Sequence, residues 1–594
     1  MAEKIVSPGV FTRERDLTFL PAGVQNIGAA IIGPTVKGPG LVPTIVSSFS
    51  EYRQIFGDSF ESGSGANLGY YSYLTSLAAE EYLRHHDTLT VVRVLDGDFT
   101  GATSRVVDSL GTGFSFTLHT ISDGALLNSG QSDASTAGSG SADDEGANNL
   151  LLSGSKENIR WEIANKNTAR GTFSLYIRSG NDTIKRKNIL ETWNNLSLDP
   201  NSTDYICKRI GDSALNLRGA GTLDPYIQAS GSYLNKSKYV RVAINQTTLN
   251  YLDENGNIRG GGSIAAALSS SLPMAVSGTF SGGSDGTVEH PQKFYDEITA
   301  TNSQGYNPAA TTEYTDAIRL LANQDEYDIN LLMLPGIISS LSGHSGIAAS
   351  AMQMCEDRGD CFAIIDPVAY GSSISSATSE AETRDTNYAA VYWPWIQVAD
   401  NYASKNCWVP ASVAMGGVYA FNDKVAAEWF APAGLNRGGI DRAIQPERKL
   451  THANRDTLYE SNVNPLATFP NSGVVAFGQK TLQKKASALD RVNVRRLLIA
   501  AKKFIASATR YLVFEQNTSE TRNRFLSIVN PYLESVQQRQ GLYGFKVVMD
   551  ESNNTPDVID RNQMVGQLFL QPTRTAEFII IDFNVLPTGA AFPE

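Results

Sequence analysis

The chain has 594 residues, 41% of them hydrophobic and 19% charged, with a net charge of -12 at neutral pH. That length exceeds what one compact core holds, so several domains are expected. The acidic balance excludes a protein whose main partner is nucleic acid, because such a partner demands a dominant basic surface. No stretch nears the ~18 uninterrupted apolar residues of a membrane helix, and the opening MAEKIVSPGVFTRERD lacks an apolar core of signal-peptide length. Cys207, Cys355, Cys361 and Cys407 are too few and too widely spaced to staple a chain of this length. They suit a reducing compartment, and cytoplasmic synthesis is expected.

Taken in chain order, residues 5–24 combine Pro8-Gly9 with alternating residues and little helical period, which reads as an extended arm. Gly28–Gly33 is a short buried strand. Ser48 and Glu51 have capping-box spacing, so a helix is expected from Ser48 to about Gly57. Tyr70, Leu74 and Leu77 share one face of a second helix, and Thr88–Leu95 is a β-branched strand. Residues 121–155 are rich in Ser, Gly, Ala, Asn and Asp, a composition that cannot pack a core. Strand-like runs such as Thr172–Arg178 and Tyr239–Ile244 alternate with turns from 156 to 258. Asn255-Gly256 carries the signal of a tight hairpin. A second Gly/Ser-rich stretch spans 259–286.

Regular α/β patterning then resumes. Tyr327–Leu334 reads as a strand, Pro335-Gly336 as a turn, 344–357 as a helix and Cys361–Asp366 as the next strand. This is a βαβ unit with parallel pairing. Trp408–Ala414 is expected to be a further strand of the same sheet. Residues 489–516 place Val494, Leu498, Ala501, Ile505, Ala508 and Leu512 along one helical face. A second helix covers about 519–541, interrupted at Asn530-Pro531, and strands Phe545–Met549, Gly566–Leu570 and Glu577–Val585 follow. The chain is thus expected to be α/β and α+β multidomain. Residues 1–24 form an arm, 25–98 and 312–515 share a discontinuous α/β core, 99–311 form a β-rich insertion (possible as two subdomains), and 516–594 form a C-terminal domain.

No catalytic, cofactor-binding or metal site is predicted. Gly33 to Gly38 has the glycine spacing of a phosphate loop but lacks the following Lys-Ser/Thr, and Pro39 removes a donor. Gly282-Gly-Ser284-Asp-Gly286 matches the nucleophile pattern Gly-x-Ser-x-Gly, yet it sits in a Gly/Ser loop, so a turn is the better reading. Asp253 to Asn257 resembles the start of a calcium loop, with Ile258 and Ile264 in place of the required Gly and Glu. His85-His86 read as solvated helix-end residues, since neighbours on a helix point about 100° apart. The βαβ unit lacks a dinucleotide fingerprint. One feature rises above background: from Lys480 to Arg510 nine basic residues face a single acid, Asp490. Either they form a solvated helix face or an electrostatic seam against an acidic neighbour.

Several segments in order along nearly the whole chain resemble the tail sheath family of contractile-tailed phages, in its long T-even-like form. They are Ser7-Pro8-Gly9-Val10 with Arg13-Glu14, Gly33-Pro34, Gly38-Pro39, Phe56-Gly57 and Leu89–Val94. Gly282–Gly286, Asp328–Gly336, Arg358–Pro367, Arg522–Pro531, Asn553-Asn554-Thr555-Pro556 and Phe578–Phe583 continue the series. The resemblance implies a structural subunit and no enzyme. It implies a homo-oligomer of hexameric rings stacked helically around a tail tube protein, with baseplate and tail terminator proteins as further partners. No cofactor, nucleic acid or membrane insertion is implied. The subunit would be assembled in the host cytoplasm, reside in the virion tail, and contract to drive the tube through the host envelope. The 99–311 insertion would face outward and the C-terminal domain inward. Alternatives are the sheath of a phage-tail-like injection or secretion machine and, more remotely, an α/β enzyme.

Two sets of site residues follow as expectations. Extended, alternately apolar termini can join the sheet edge of a neighbour, which singles out Val6, Val10, Thr12, Phe578, Ile579, Ile580, Ile581 and Phe583. Arg495, Lys502, Arg522, Arg524 and Arg539 are the candidates for facing the tube or the adjacent ring.

Overall fold

The computed structural model describes residues 28–62, 69–111, 113–128, 157–168, 170–183, 185–245, 272–288, 298–310, 312–470 and 472–577. The terminal arm, the Asn255-Gly256 hairpin and Phe578–Val585 lie outside them. The described chain divides into two compact units, one of residues 28–500 with 572–577 and one of 501–571. The division falls inside the helix Val492–Thr509, earlier than the boundary at 515 expected from pattern.

The larger unit is organised by an eight-stranded sheet. Its order is Thr44–Val46, Leu89–Arg93, Gly28–Gly33, Ile329–Ile338, Phe362–Asp366, Ala389–Trp393, Val463–Phe469, Gly473–Ala476. The six inner strands pair in parallel and the two outer ones antiparallel. Gly28–Gly33, Ile329–Ile338 and Phe362–Asp366 are buried at every position, so side chains pointing both ways meet protein and the sheet is covered on both faces. Strands from before residue 94 and after residue 328 are therefore hydrogen-bonded neighbours. Helix Leu74–Leu83 packs on Ala411–Val425, and Glu313–Leu320 on Ser345–Arg358. A Cβ at Gly416 would stand 2.3 Å from Met333 Sδ; glycine lets that helix lie directly on the strand.

Local signals set several boundaries. Ser48 Oγ accepts from Glu51 N and caps Phe49–Phe56, which ends at Gly57 with φ +77°. Helix Ser345–Arg358 ends at Gly359 in the left-handed region. Other segments depart from the expectation. Tyr70 belongs to a short strand, Gly69–Tyr71, and the helix starts at Leu74. Pro335-Gly336 is not a turn: the strand runs on to Ile338 through a shift in register. Ser303 Oγ donates to Gly336 O at 2.8 Å and Gln304 Nε2 to Pro335 O at 3.3 Å, satisfying carbonyls that the ladder leaves open. Trp408–Ala414 divides into a strand, Lys405–Val409, and the start of helix Ala411–Val425. That strand joins Ile396–Asp400 and Ala443–Pro446 in a separate three-stranded sheet, not the large one.

Between Gly101 and Thr279 the chain is β-rich, as its turn-punctuated pattern indicates. A four-stranded antiparallel sheet (Ile189–Ser197, Thr172–Ser179, Ile159–Asn167, Ser277–Thr279) stands with a three-stranded one (Val240–Ile244, Phe114–Asp123, Gly101–Val107). They share an apolar core around Phe116, Trp161, Phe173 and Phe280, and Trp161 Nε1 donates to Ser104 Oγ at 2.8 Å. The Gly282–Gly286 segment is a seam: Thr100 pairs with Ser284 and Asp96 with Gly286. Gly286 has φ +76°, and a Cβ there would lie 1.6 Å from Asp96 O, which no side chain survives.

In the smaller unit, helix Ser519–Gln538 continues through Pro531 without interruption. Phe504 and Tyr532 stack with ring centroids 3.8 Å apart, and Val529, Leu533, Val536 and Leu542 are buried. Asn554 is buried; it donates to Val565 O and accepts from Val565 N, tying together the two ends of the segment that contains helix Pro556–Asp560. Strands Leu542–Val548 and Gln567–Pro572 form a two-stranded sheet.

Candidate functional site

Three places bear on the sites expected from sequence: the last described residues, the two-stranded sheet of the smaller unit, and the basic side chains between Lys480 and Arg539.

Thr573 to Glu577 leave the strand Gln567–Pro572 as irregular chain. Glu577 ends in a half-buried socket of the larger unit. Arg491 donates to both carboxylate oxygens, Nε to Oε1 at 2.7 Å and Nη2 to Oε2 at 3.0 Å. Tyr459 OH donates to Oε2 at 2.9 Å and Gln479 Nε2 to Oε1 at 3.1 Å. Burial pushes the Glu577 carboxyl up, but the Arg491 guanidinium, the Tyr459 hydroxyl and the Gln479 amide together hold it below the usual carboxylate range. The sequence explains the socket: Tyr459 closes helix His452–Glu460, Gln479 follows strand Gly473–Ala476, and Arg491 precedes helix Val492–Thr509. Pattern reading marks Glu577 only as the start of an alternating run; the four-fold hold on its carboxylate is long-range and carries no local signal.

Strand Gln567–Pro572 alternates between half-buried and open positions, and Tyr543 is 68% and Phe569 56% exposed. Having two strands, the sheet leaves two outer edges unpaired among the described residues.

The basic stripe separates into two groups. Lys480 Nζ donates to Tyr459 O at 2.7 Å, and Arg496 forms a buried bidentate pair with Asp423 at 2.8 and 2.5 Å. Arg495 is buried, its guanidinium 3.5 Å from the Tyr388 ring centroid. Arg522 is buried too, with Nε donating to Asn517 Oδ1 at 3.0 Å. These two candidates are held inside the subunit. Lys502, Arg524 and Arg539 are exposed, and Arg524 lies 3.8 Å from Glu520 in an open i,i+4 pair of small energetic weight. The linking candidates Val6, Val10, Thr12, Phe578, Ile579, Ile580, Ile581 and Phe583 lie outside the described residues.

Among the described residues no group of three or more His, Cys, Asp or Glu is placed to hold a metal. The glycine-spaced turn Gly33–Gly38 is closed by the subunit's own side chain, Arg93 Nη1 donating to Gly38 O at 2.7 Å. His85 and His86 are half-buried, His85 against the edge of Phe421 and His86 beside Tyr82.

A covered, mainly parallel sheet with a β-rich excursion and a distinct C-terminal unit is a mixed α/β architecture. Residues 309–482 match the phage tail sheath protein central domain, and 484–585 match the phage tail sheath C-terminal domain. Both matches fall in the second half of the chain. It is 40% identical over 209 residues to the tail sheath protein of Vibrio phage KVP40, covering 35% of this chain and 31% of that one. It is 31% identical over 327 residues to the tail sheath protein of Enterobacteria phage T4, covering 51% of this chain and 49% of that one. The matches thus span about a third to a half of the relatives' length. The fold resembles that of a sheath tail protein from Listeria innocua, with a TM-score of 0.52 at 10% identity over 92% of this chain and 96% of the other.

Proposed function

We propose that this chain is the structural subunit of a contractile phage tail sheath, polymerising as stacked hexameric rings around a tail tube and shortening to drive the tube through the host envelope. The observation that carries this reading is the pair of adjoining family matches, 309–482 and 484–585. The curated relatives at 31% and 40% identity are phage proteins, which favours a virion over an injection or secretion machine. A non-enzymatic role is supported by the curated relatives being tail sheath proteins. Tube, baseplate and terminator proteins are the partners this function requires, with assembly in the host cytoplasm.

Residues 28–98 and 312–500 serve as a discontinuous core, with 99–311 as an outward insertion. The parallel pairing of Gly28–Gly33 with Ile329–Ile338 supports this arrangement. Subunits link through residues 1–24 and 578–585, whose alternately apolar sequence suits addition to a neighbour's open sheet edge, a link that survives rigid-body movement. The unpaired edges of Leu542–Val548 and Gln567–Pro572 suit that role. Lys502, Arg524 and Arg539 provide weak, cooperative contacts to the tube or next ring. Deleting residues 1–24 tests the link. The truncated protein is expected to stay a folded monomer that no longer sediments as polymer, and normal polymerisation contradicts the reading.

A further inference from the structure

We infer that the groove beside strand Ala214–Arg218 docks an extended, acidic segment of a second copy of this chain, with Arg241 receiving its carboxylate. This rests on the reading that copies of the chain polymerise, and it adds a contact through the body of the larger unit.

The groove encloses about 800 Å³. Its floor is formed by His119, Ile121, Asp123 and Arg241, which share one face of the paired strands Phe114–Asp123 and Val240–Ile244. The other face carries Phe116 and Leu118 into the apolar core. Val42, Ile55 and Phe99 wall one side of the groove, and residues 213–218 line the other without a gap. Side chains along a strand alternate between faces, so consecutive positions border a groove only along the strand's edge. Tyr226–Ser230 pairs with the opposite edge, and among the described residues this sheet has no third strand. An open edge accepts an extended peptide through main-chain hydrogen bonds.

The edge is held in place before anything binds. At the hairpin tip Gly221 N donates to both oxygens of buried Asp316, at 3.0 and 2.9 Å. Arg319 Nη1 donates to Thr222 O at 2.7 Å. At the root Asp212 Oδ1 accepts from Ser232 N and Tyr233 N at 2.9 and 2.7 Å. A preordered site loses less entropy when it is filled.

Charge identifies what enters. Arg241 is half-buried, and among the described residues its guanidinium has no hydrogen bond or ion pair. Burial pulls its pKa down, and Asp123 and Asp212 act the other way without pairing with it. Asp123 is engaged elsewhere, accepting from Gly40 N at 2.8 Å. His119 stands opposite Arg241 in register; burial, then Arg241, push its pKa down to about 4, so it is neutral. Arg218 and Lys238 border the same groove, giving three cations against the Asp123 carboxylate. A half-buried guanidinium without a partner is destabilising until a carboxylate reaches it. Further copies of a chain with net charge -12 carry carboxylates in excess. Polymerisation presents them at high effective concentration.

Full-length wild type, Arg241→Met and Arg241→Lys test this, together with a protein carrying a photo-reactive benzophenone side chain at Leu215, which is 49% exposed. Arg241→Met keeps the stem and removes the charge, so it should melt at or above the wild-type temperature. A fall of several degrees would make Arg241 a structural residue and overturn its assignment. The critical concentration for polymerisation should rise about threefold or more in Arg241→Met, as loss of a charge-assisted hydrogen bond entails, and less in Arg241→Lys. In polymers mixed from isotope-labelled and unlabelled chains, the probe should cross-link between chains, to a peptide bearing Asp or Glu. If wild type polymerises and Arg241→Met matches its critical concentration, or cross-links form only within a chain, the docking site is overturned and the polymerisation reading stands. If wild type forms no polymer under any assembly condition, that reading fails and the docking site with it.

Discussion

Arg93 and Asp285, 192 positions apart in sequence, meet at 3.2 Å where the β-rich excursion returns to the central sheet. Arg93 is 1% exposed and also donates from Nη1 to the carbonyls of Gly38 and Asp123, each at 2.7 Å. A single guanidinium thus joins the end of strand Leu89–Arg93, the glycine turn before Gly40, the end of strand Phe114–Asp123 and the Gly282–Gly286 seam.

Removing that fork strands a carboxylate and two carbonyls. Arg93→Ala is expected to destabilise the protein by about 3–5 kcal/mol, the cost of breaking a buried pair from one side. Arg93→Lys should recover little, since one ammonium cannot reach three acceptors in a planar fan. Denaturant midpoints with unchanged m-values would establish this, and a loss under 1 kcal/mol would contradict it.

Asp366 gives a pH-dependent prediction. Helix Ala411–Val425 begins after Pro410, which offers no side-chain cap; Asp366 supplies one, accepting from Ser412 N at 3.0 Å and Ser412 Oγ at 2.6 Å. Burial pushes its carboxyl up to about 7 from 3.8, the two Ser412 hydrogen bonds pulling partly the other way. The folded state then keeps a proton that the unfolded state releases, so this group's contribution is full below about pH 4 and declines as pH rises to about 7. Asp366→Asn keeps an acceptor for the backbone and a donor for the hydroxyl. It should remove that decline, so the stability difference between wild type and variant should change sign or slope between pH 4 and 7. Parallel urea midpoints across that range would refute the assignment.

The exposed and buried arginines should respond differently to charge reversal. Lys502→Glu, Arg524→Glu and Arg539→Glu combined should leave the melting temperature nearly unchanged, as surface substitutions usually stay within about 0.5 kcal/mol each. They should weaken assembly around tubes at low salt. Arg495→Glu or Arg522→Glu should instead lower thermal stability directly, because each places a carboxylate in a buried site. Wild-type assembly by the triple variant would make those charges ordinary surface.

Much of this architecture is readable from local pattern, and the exceptions have physical causes. Ser48 with Glu51 and the buried run Phe362–Asp366 announce themselves because cap chemistry and burial act over a few residues. Helix Ala411–Val425 does not: it is buried on nearly all sides, so its apolar residues show no 3.6 period and read as strand. Pro335-Gly336 looks like a turn, but Ser303 and Gln304, over 30 positions away, satisfy its carbonyls and let the strand continue. Charge is visible in sequence and burial is not, which is why Arg495 and Arg522 stood beside Lys502 and Arg524 as equals. The socket around Glu577 draws on residues 86 to 118 positions distant and lies beyond any local reading.

Negative-stain electron microscopy of the purified full-length protein tests the central claim most directly. A sheath subunit is expected to form long hollow tubes with regular helical striations, on its own or around added tail tubes. Discrete small particles under every assembly condition, with no striated polymer, would contradict it.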